Sequence, residues 1–208
     1  MPLYLFSALA AAVTVAGIST VVWIAYLAGR VPRPQRRLIG GGLLMISCLT
    51  LAFRPMAWTV IDLAVLAGAA GAVIWFEKAL QAPIAVAVFL TVASVLDVIS
   101  VIAGPSRMLM EGLRSGSSYL LLYLALVAPV HGHPIPIVGI SDLFVGGSAA
   151  AALIRLGLRP MAVMGAVTVS LLCALAFGIW LGPAPAIPFL AAAAWCLVVR
   201  DTRRLCPR

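Results

Sequence analysis

The sequence predicts an all-α, multi-pass membrane protein, a helical bundle of about seven transmembrane helices. Two observations carry this prediction. Hydrophobic residues make up 64% of the 208-residue chain and charged residues only 10%, whereas a soluble domain carries about 25% charged residues. The basic residues also fall at the ends of long apolar runs. A mean hydropathy of +1.17 agrees.

About 20 apolar residues cross a hydrocarbon core, and the backbone inside it must satisfy its own hydrogen bonds, so each run is expected to be a helix. The first is Leu3–Gly29. Its opening, "MPLYLFSALA", lacks a charged leader and the run is longer than a signal-peptide core, so no cleavable signal is expected. The second, Leu38–Phe53, carries Gly40, Gly41 and Gly42, which suit close helix packing. Arg54 and Pro55 part it from the third, Met56–Phe76, and the fourth is Ala82–Ala103. "SYLLLYLALVAPV", Ser118 to Val130, is too short for a span and is closed by Pro129. It reads as a re-entrant segment, an interfacial helix or an extended strand. The fifth and sixth runs are Pro136–Ile154 and Met161–Leu181. The seventh is Ala184–Val199, and its start, "GPAPAIP", reads as a broken helix end lining a cavity.

No internal repeat or hydrophilic linker divides the chain. It is expected to be one domain: N-terminal helices over 1–81, a core over 82–199 and a basic tail over 200–208. The net charge of +8 comes without a basic patch interleaved with aromatics, which argues against nucleic acid as a partner. Positive charge instead orients the chain. With seven spans, eleven of the fourteen basic residues share a side, among them Arg30, Arg33, Arg36, Arg37 and the Arg200–Arg208 tail. The N-terminus is then expected outside and the C-terminus in the cytoplasm of a plasma (inner) membrane. Cys48, Cys173, Cys196 and Cys206 fit neither a disulfide framework nor a zinc motif and read as small packing residues. His131 and His133 flank a glycine with no carboxylate near them in sequence and read as loop residues. No metal or other cofactor is expected.

Three aspartates lie inside apolar runs: Asp62, Asp97 and Asp142. An ionisable group there costs roughly 2.5–3.5 kcal/mol to insert, so each needs a reason. Asp97 lies six residues before the end of its run and Asp142 six residues after the start of the next, each roughly 9 Å from the same boundary. Two carboxyl groups at matching depth on sequential antiparallel helices can meet and share one proton. Such a pair can activate a water against a peptide carbonyl without metal or covalent intermediate. A proton-coupled transporter can use the same pair. Asp62, at similar depth, reads as a protonated helix-packing residue.

The stretch "LDVISVIAGPSRMLME", holding Asp97, Gly104, Pro105, Arg107, Met108, Leu109 and Glu111, resembles the first catalytic motif of the presenilin and signal peptide peptidase family of intramembrane aspartyl proteases. "GISD", Gly139 to Asp142, resembles its G-x-G-D motif, and Pro185, Ala186 and Ile187 its Pro-Ala-Leu motif. The order of the three is the family's, and the likeness covers about residues 82–199. Departures are Leu96 where the family has tyrosine, Ser141 for the second glycine, Ile187 for leucine, and two fewer spans. The resemblance implies an aspartyl endopeptidase cutting transmembrane-helix peptides within the lipid bilayer. Asp97 and Asp142 would be catalytic, with Gly139, Ser141, Pro185, Ala186 and Ile187 binding substrate. It also implies a substrate-docking job for Ser118–Val130. With the loop between the aspartates outside, as in signal peptide peptidase, the substrate helix would have its N-terminus in the cytoplasm. A small proton-coupled transporter and an inactive helix-binding relative are the alternatives.

Overall fold

The computed structural model describes residues 3–52, 58–116, 120–130, 133–181 and 185–205. The Arg54–Pro55 break, Ser118, His131, Ala184, Cys206 and Arg208 lie outside them. The chain is mostly helical: α1 Leu3–Gly29, α2 Arg33–Ala52, α3 Trp58–Phe76, α4 Pro83–Ala103, α5 Pro105–Arg114, a single turn α6 Leu120–Tyr123, α7 Ile140–Arg155, α8 Pro160–Leu181 and α9 Ile187–Leu205. A 3₁₀ turn, Glu77–Ala79, follows α3.

Among the described residues four helical stretches are long and apolar enough to cross a membrane: Ala10–Gly29, Trp58–Phe76, Pro83–Ala103 and Pro160–Phe177. Three of the seven expected spans differ for distinct reasons. Helix α2 starts at Arg33 and takes three arginines into its first turns. Helix α7 has only 16 residues. The apolar part of α9 is the short stretch Ile187–Arg200.

The fold also corrects the fifth run, because Pro136–Gly139 is strand rather than helix. Strands β1 Ala125–Val130 and β2 His133–Gly139 form an antiparallel hairpin before α7. Pro134 and Pro136 explain it: proline inside a helix loses a hydrogen bond and clashes with the preceding turn, whereas an edge strand tolerates it. Both strands of a two-stranded ribbon are edges. A bulge between Leu126 and Val127 pairs Leu126 with Val138 but Val127 with Pro136, leaving Ile137 as the extra residue.

Helix α7 is the hub, packing against α1, α3, α4, α8 and α9. Its "GGSAAAALI" stretch is buried nearly all round, as a helix surrounded by others must be. Small side chains allow this closeness: a Cβ on Gly147 would stand 2.8 Å from Val21 on α1 and 3.1 Å from Val73 on α3. Outward faces carry large apolar side chains such as Trp23, Leu63, Val92 and Ile99, a surface suited to lipid. Cys48, Cys173 and Cys196 are free and lie on these outward faces, so they do not fill gaps between helices.

Candidate active site

Helix α4 stops where its sequence requires. Gly104 leaves helical geometry, and a Cβ there would fall 2.7 Å from Ser100 Cα. Pro105 then starts α5 at the position where a missing N–H costs nothing. Ser106 N–H donates to Ser100 Oγ at 3.2 Å, capping the new helix. Arg107 donates to Glu111 at 2.8 Å and to the Ile102 carbonyl at 3.1 Å. The "GPSRMLME" residues therefore build the α4–α5 corner, which begins seven residues beyond Asp97.

Asp97 is half-buried, and its Oδ2 accepts the Ile187 N–H at 3.0 Å. The Ala186 amide donates to the same carboxylate. These two residues begin α9, and a helix start leaves its first amides without internal partners. Pro185 and Pro188 have no N–H to satisfy, and the Phe189 N–H turns back to the Ala186 carbonyl at 3.2 Å. Asp97 thus caps α9 from another helix. Side by side with it, α4 and α9 are also joined by the Trp195 indole N–H donating to Thr91 Oγ1 at 3.5 Å.

Asp142 occupies the third position of α7, with Gly139 as the capping residue. Its carboxylate accepts the Gly139 N–H, the reach-back half of a capping box. Gly139 has φ −69° and ψ 150°, which any residue adopts. What glycine supplies is room, since a Cβ would stand 3.3 Å from Ser141 Oγ and 3.4 Å from Asp142 Oδ2. Ser141 is exposed.

The two acids are near enough for their charges to act on one another. They come within electrostatic reach by a route that matched helix depths do not describe. Asp142 sits in the first turn of α7, and the four residues before that helix run as extended strand, rising about 3.3 Å each rather than 1.5 Å. The structure therefore gathers Asp97, Asp142, Gly139, Ala186 and Ile187 around one locus, with Pro185 adjoining it and Ser141 on its outer side.

Asp62 stands apart from this group. Its Oδ1 accepts the Val127 N–H at 2.8 Å, where the bulge breaks the ladder. The helix-packing role expected for Asp62 is thus a link from α3 to the hairpin. A carboxylate in an apolar run was the only hint in the sequence, and it did not name the partner. His133 opens β2, and among the described residues no group of three or more His, Cys, Asp or Glu side chains gathers to hold a metal ion.

No protein-family model matches the chain, and neither the curated proteins nor the solved structures contain a match. Two carboxyl groups within electrostatic reach, each held by main-chain amides, form an arrangement able to pass protons to and from a water or carbonyl lying between them.

Proposed function

We propose that the chain is an intramembrane aspartyl endopeptidase that hydrolyses peptide bonds within transmembrane helices. The observation that carries the reading is the convergence on one locus of Asp97, Asp142 and the Ala186–Ile187 amides. In this reading Asp97 and Asp142 share one proton. The ionised member takes a proton from water as the oxygen attacks the scissile carbonyl, and the protonated member donates to the carbonyl oxygen. The roles then exchange as the amine leaves, and no covalent intermediate forms.

A helical substrate must unwind before its carbonyls are reachable. Strand β2, which among the described residues pairs with β1 alone, suits an unwound segment, since an extended peptide can add to a strand edge. Pro185, Ala186 and Ile187, with Gly139 and Ser141, would line its path to the acids. The protein would reside in a plasma membrane with its N-terminus outside.

The reading is tested by incubating a labelled transmembrane-helix peptide with the purified protein in detergent. Wild type should cleave it, and Asp97→Ala and Asp142→Ala should not. Cleavage that survives either change removes the dyad. Proton uptake driven by a gradient, without proteolysis, would mark a carrier instead.

A further inference from the structure

The last turns of α1 carry an outward strip that the two acids do not use. Trp23, Tyr26, Leu27 and Arg30 are all exposed, and their spacing of three and four residues stacks them on one face of the helix. Val22, Ala25 and Ala28 of the same turns are buried in the bundle, so the strip points away from it. Further back on the same face, Ala12, Ala16 and Thr20 are exposed and small. Thr20 donates its hydroxyl to the Ala16 carbonyl at 2.7 Å, so its polar group is already satisfied. The apolar stretch Ala10–Gly29 ends immediately before Arg30. From Thr20 to Arg30 the helix rises about 15 Å, half of a hydrocarbon core about 30 Å thick. The strip is thus one leaflet long, with its aromatic rings and its cation at the boundary, where such side chains settle.

The polar end of the strip is already assembled. The Trp23 and Tyr26 rings meet nearly at right angles, with centroids 5.6 Å apart. The Arg30 guanidinium lies 4.7 Å from the centre of the Tyr26 ring and donates to the Tyr26 hydroxyl at 2.6 Å. A long, flexible cation is thereby held in one direction before any ligand arrives. A guanidinium has five N–H donors in a fixed fork and this bond engages one of them. The Tyr26 hydroxyl accepts from Arg30, so its own hydrogen is left for another acceptor. The chain has no acidic residue before Asp62, so neither α1 nor α2 contains a carboxylate to answer Arg30. A helix C-terminus accounts for a cation at this position. It does not account for an exposed tryptophan and tyrosine stacked beneath it.

We propose that this strip binds one anionic phospholipid, its phosphate held by the Arg30 guanidinium and the Tyr26 hydroxyl and an acyl chain lying along Leu27, Trp23 and Thr20. The planar arginine fork matches phosphate oxygens in paired hydrogen bonds. The apolar length below the polar pair matches a lipid tail, which a soluble phosphate lacks. A zwitterionic headgroup brings a cation of its own against Arg30, so the negative headgroup is the one the charge selects. The site needs a bilayer around α1 and is independent of the proteolytic reading.

The test measures thermal unfolding of the purified full chain in a nonionic detergent during titration with phosphatidylglycerol, with phosphatidylcholine or with inorganic phosphate. Wild type is compared with Arg30→Gln and with Tyr26→Phe, which keeps the ring and removes only the hydroxyl. Arg159→Gln makes the same charge change at an exposed arginine outside the strip. Phosphatidylglycerol should raise the melting temperature saturably and phosphatidylcholine should raise it less. Arg30→Gln should raise the half-saturating concentration of phosphatidylglycerol at least about tenfold, as when a charge-assisted hydrogen bond is lost. Tyr26→Phe should raise it several-fold, and Arg159→Gln should leave it unchanged. An Arg159→Gln effect equal to that of Arg30→Gln would reduce the response to diffuse charge and overturn the site. Equal stabilisation by phosphatidylcholine or by inorganic phosphate, or no response of wild type to phosphatidylglycerol, would overturn it as well.

Discussion

The Ile187 amide donates its hydrogen to Asp97 Oδ2 at 3.0 Å across 90 residues of sequence. One carboxylate therefore caps the start of α9 and lies within electrostatic reach of Asp142. Capping and chemistry can be separated at this position by two substitutions. Asparagine keeps an oxygen that accepts the Ile187 N–H but cannot exchange a proton with water. Alanine loses both abilities. Both variants are expected to lower peptide cleavage by at least about 10²-fold, the ordinary contribution of a general acid or base. Only Asp97→Ala should also lose stability, by about 0.5–2 kcal/mol, as when a helix cap is removed. Full cleavage by Asp97→Asn would leave Asp97 as a cap alone.

Asp62 is expected to act on the hairpin. Val127 is 3% exposed and its N–H has the Asp62 carboxylate as partner. Asp62→Ala would leave that buried donor unmatched, at a cost of about 1–3 kcal/mol. The loss should be local. Hydrogen exchange at Val127 should accelerate strongly, with little change in the middle of α7. Asp62→Asn, which keeps an acceptor oxygen, should restore most of the protection.

These two links also mark what could be read in advance. Helix α4 was legible nearly to the residue, expected as Ala82–Ala103 and found as Pro83–Ala103, because proline starts it and Gly104 stops it. The long helices α1, α3 and α8 followed from length and apolarity. The Leu126–Val138 region was harder, because apolar residues in a membrane chain suggest helix. Pro129, Pro134 and Pro136 were the contrary signal, and their spacing fits edge strands. For the first half the sequence is compatible with a strand, a re-entrant segment or an interfacial helix, and for the second half it predicts a helix. The Asp97–Asp142 approach was expected, but for a geometric reason that strand β2 replaces. The Asp62–Val127 bond spans 65 residues and depends on a bulge, so no local pattern announced it.

Room at Gly139 should matter for rate more than for stability. Its backbone angles suit any residue, but a methyl group would press on Ser141 Oγ and on Asp142 Oδ2 at 3.3 and 3.4 Å. Gly139→Ala is expected to lower kcat several-fold while the melting temperature moves little. Ser141 is exposed, so Ser141→Gly should change kcat by less than about tenfold, because it removes no buried contact. A Gly139→Ala enzyme with unchanged kcat would mean that the carboxylate position tolerates the crowding.

The α2–α3 crossing offers a test of the fold that does not involve the acids. A Cβ on Gly71 would stand 2.7 Å from the Gly40 carbonyl oxygen, and main chain cannot swing aside as a side chain can. A Cβ on Gly40 would itself meet the Trp75 ring at 2.5 Å, whereas one on Gly42 meets nothing within 4 Å. Of the three consecutive glycines, then, Gly40 makes the close approach and Gly42 faces open space. Gly71→Ala should force the helices apart and cost about 1–3 kcal/mol, the usual range for overpacking. Gly42→Ala should stay within about 0.5 kcal/mol of wild type. Equal melting temperatures for the two variants in the same detergent would mean that α2 and α3 do not cross this closely.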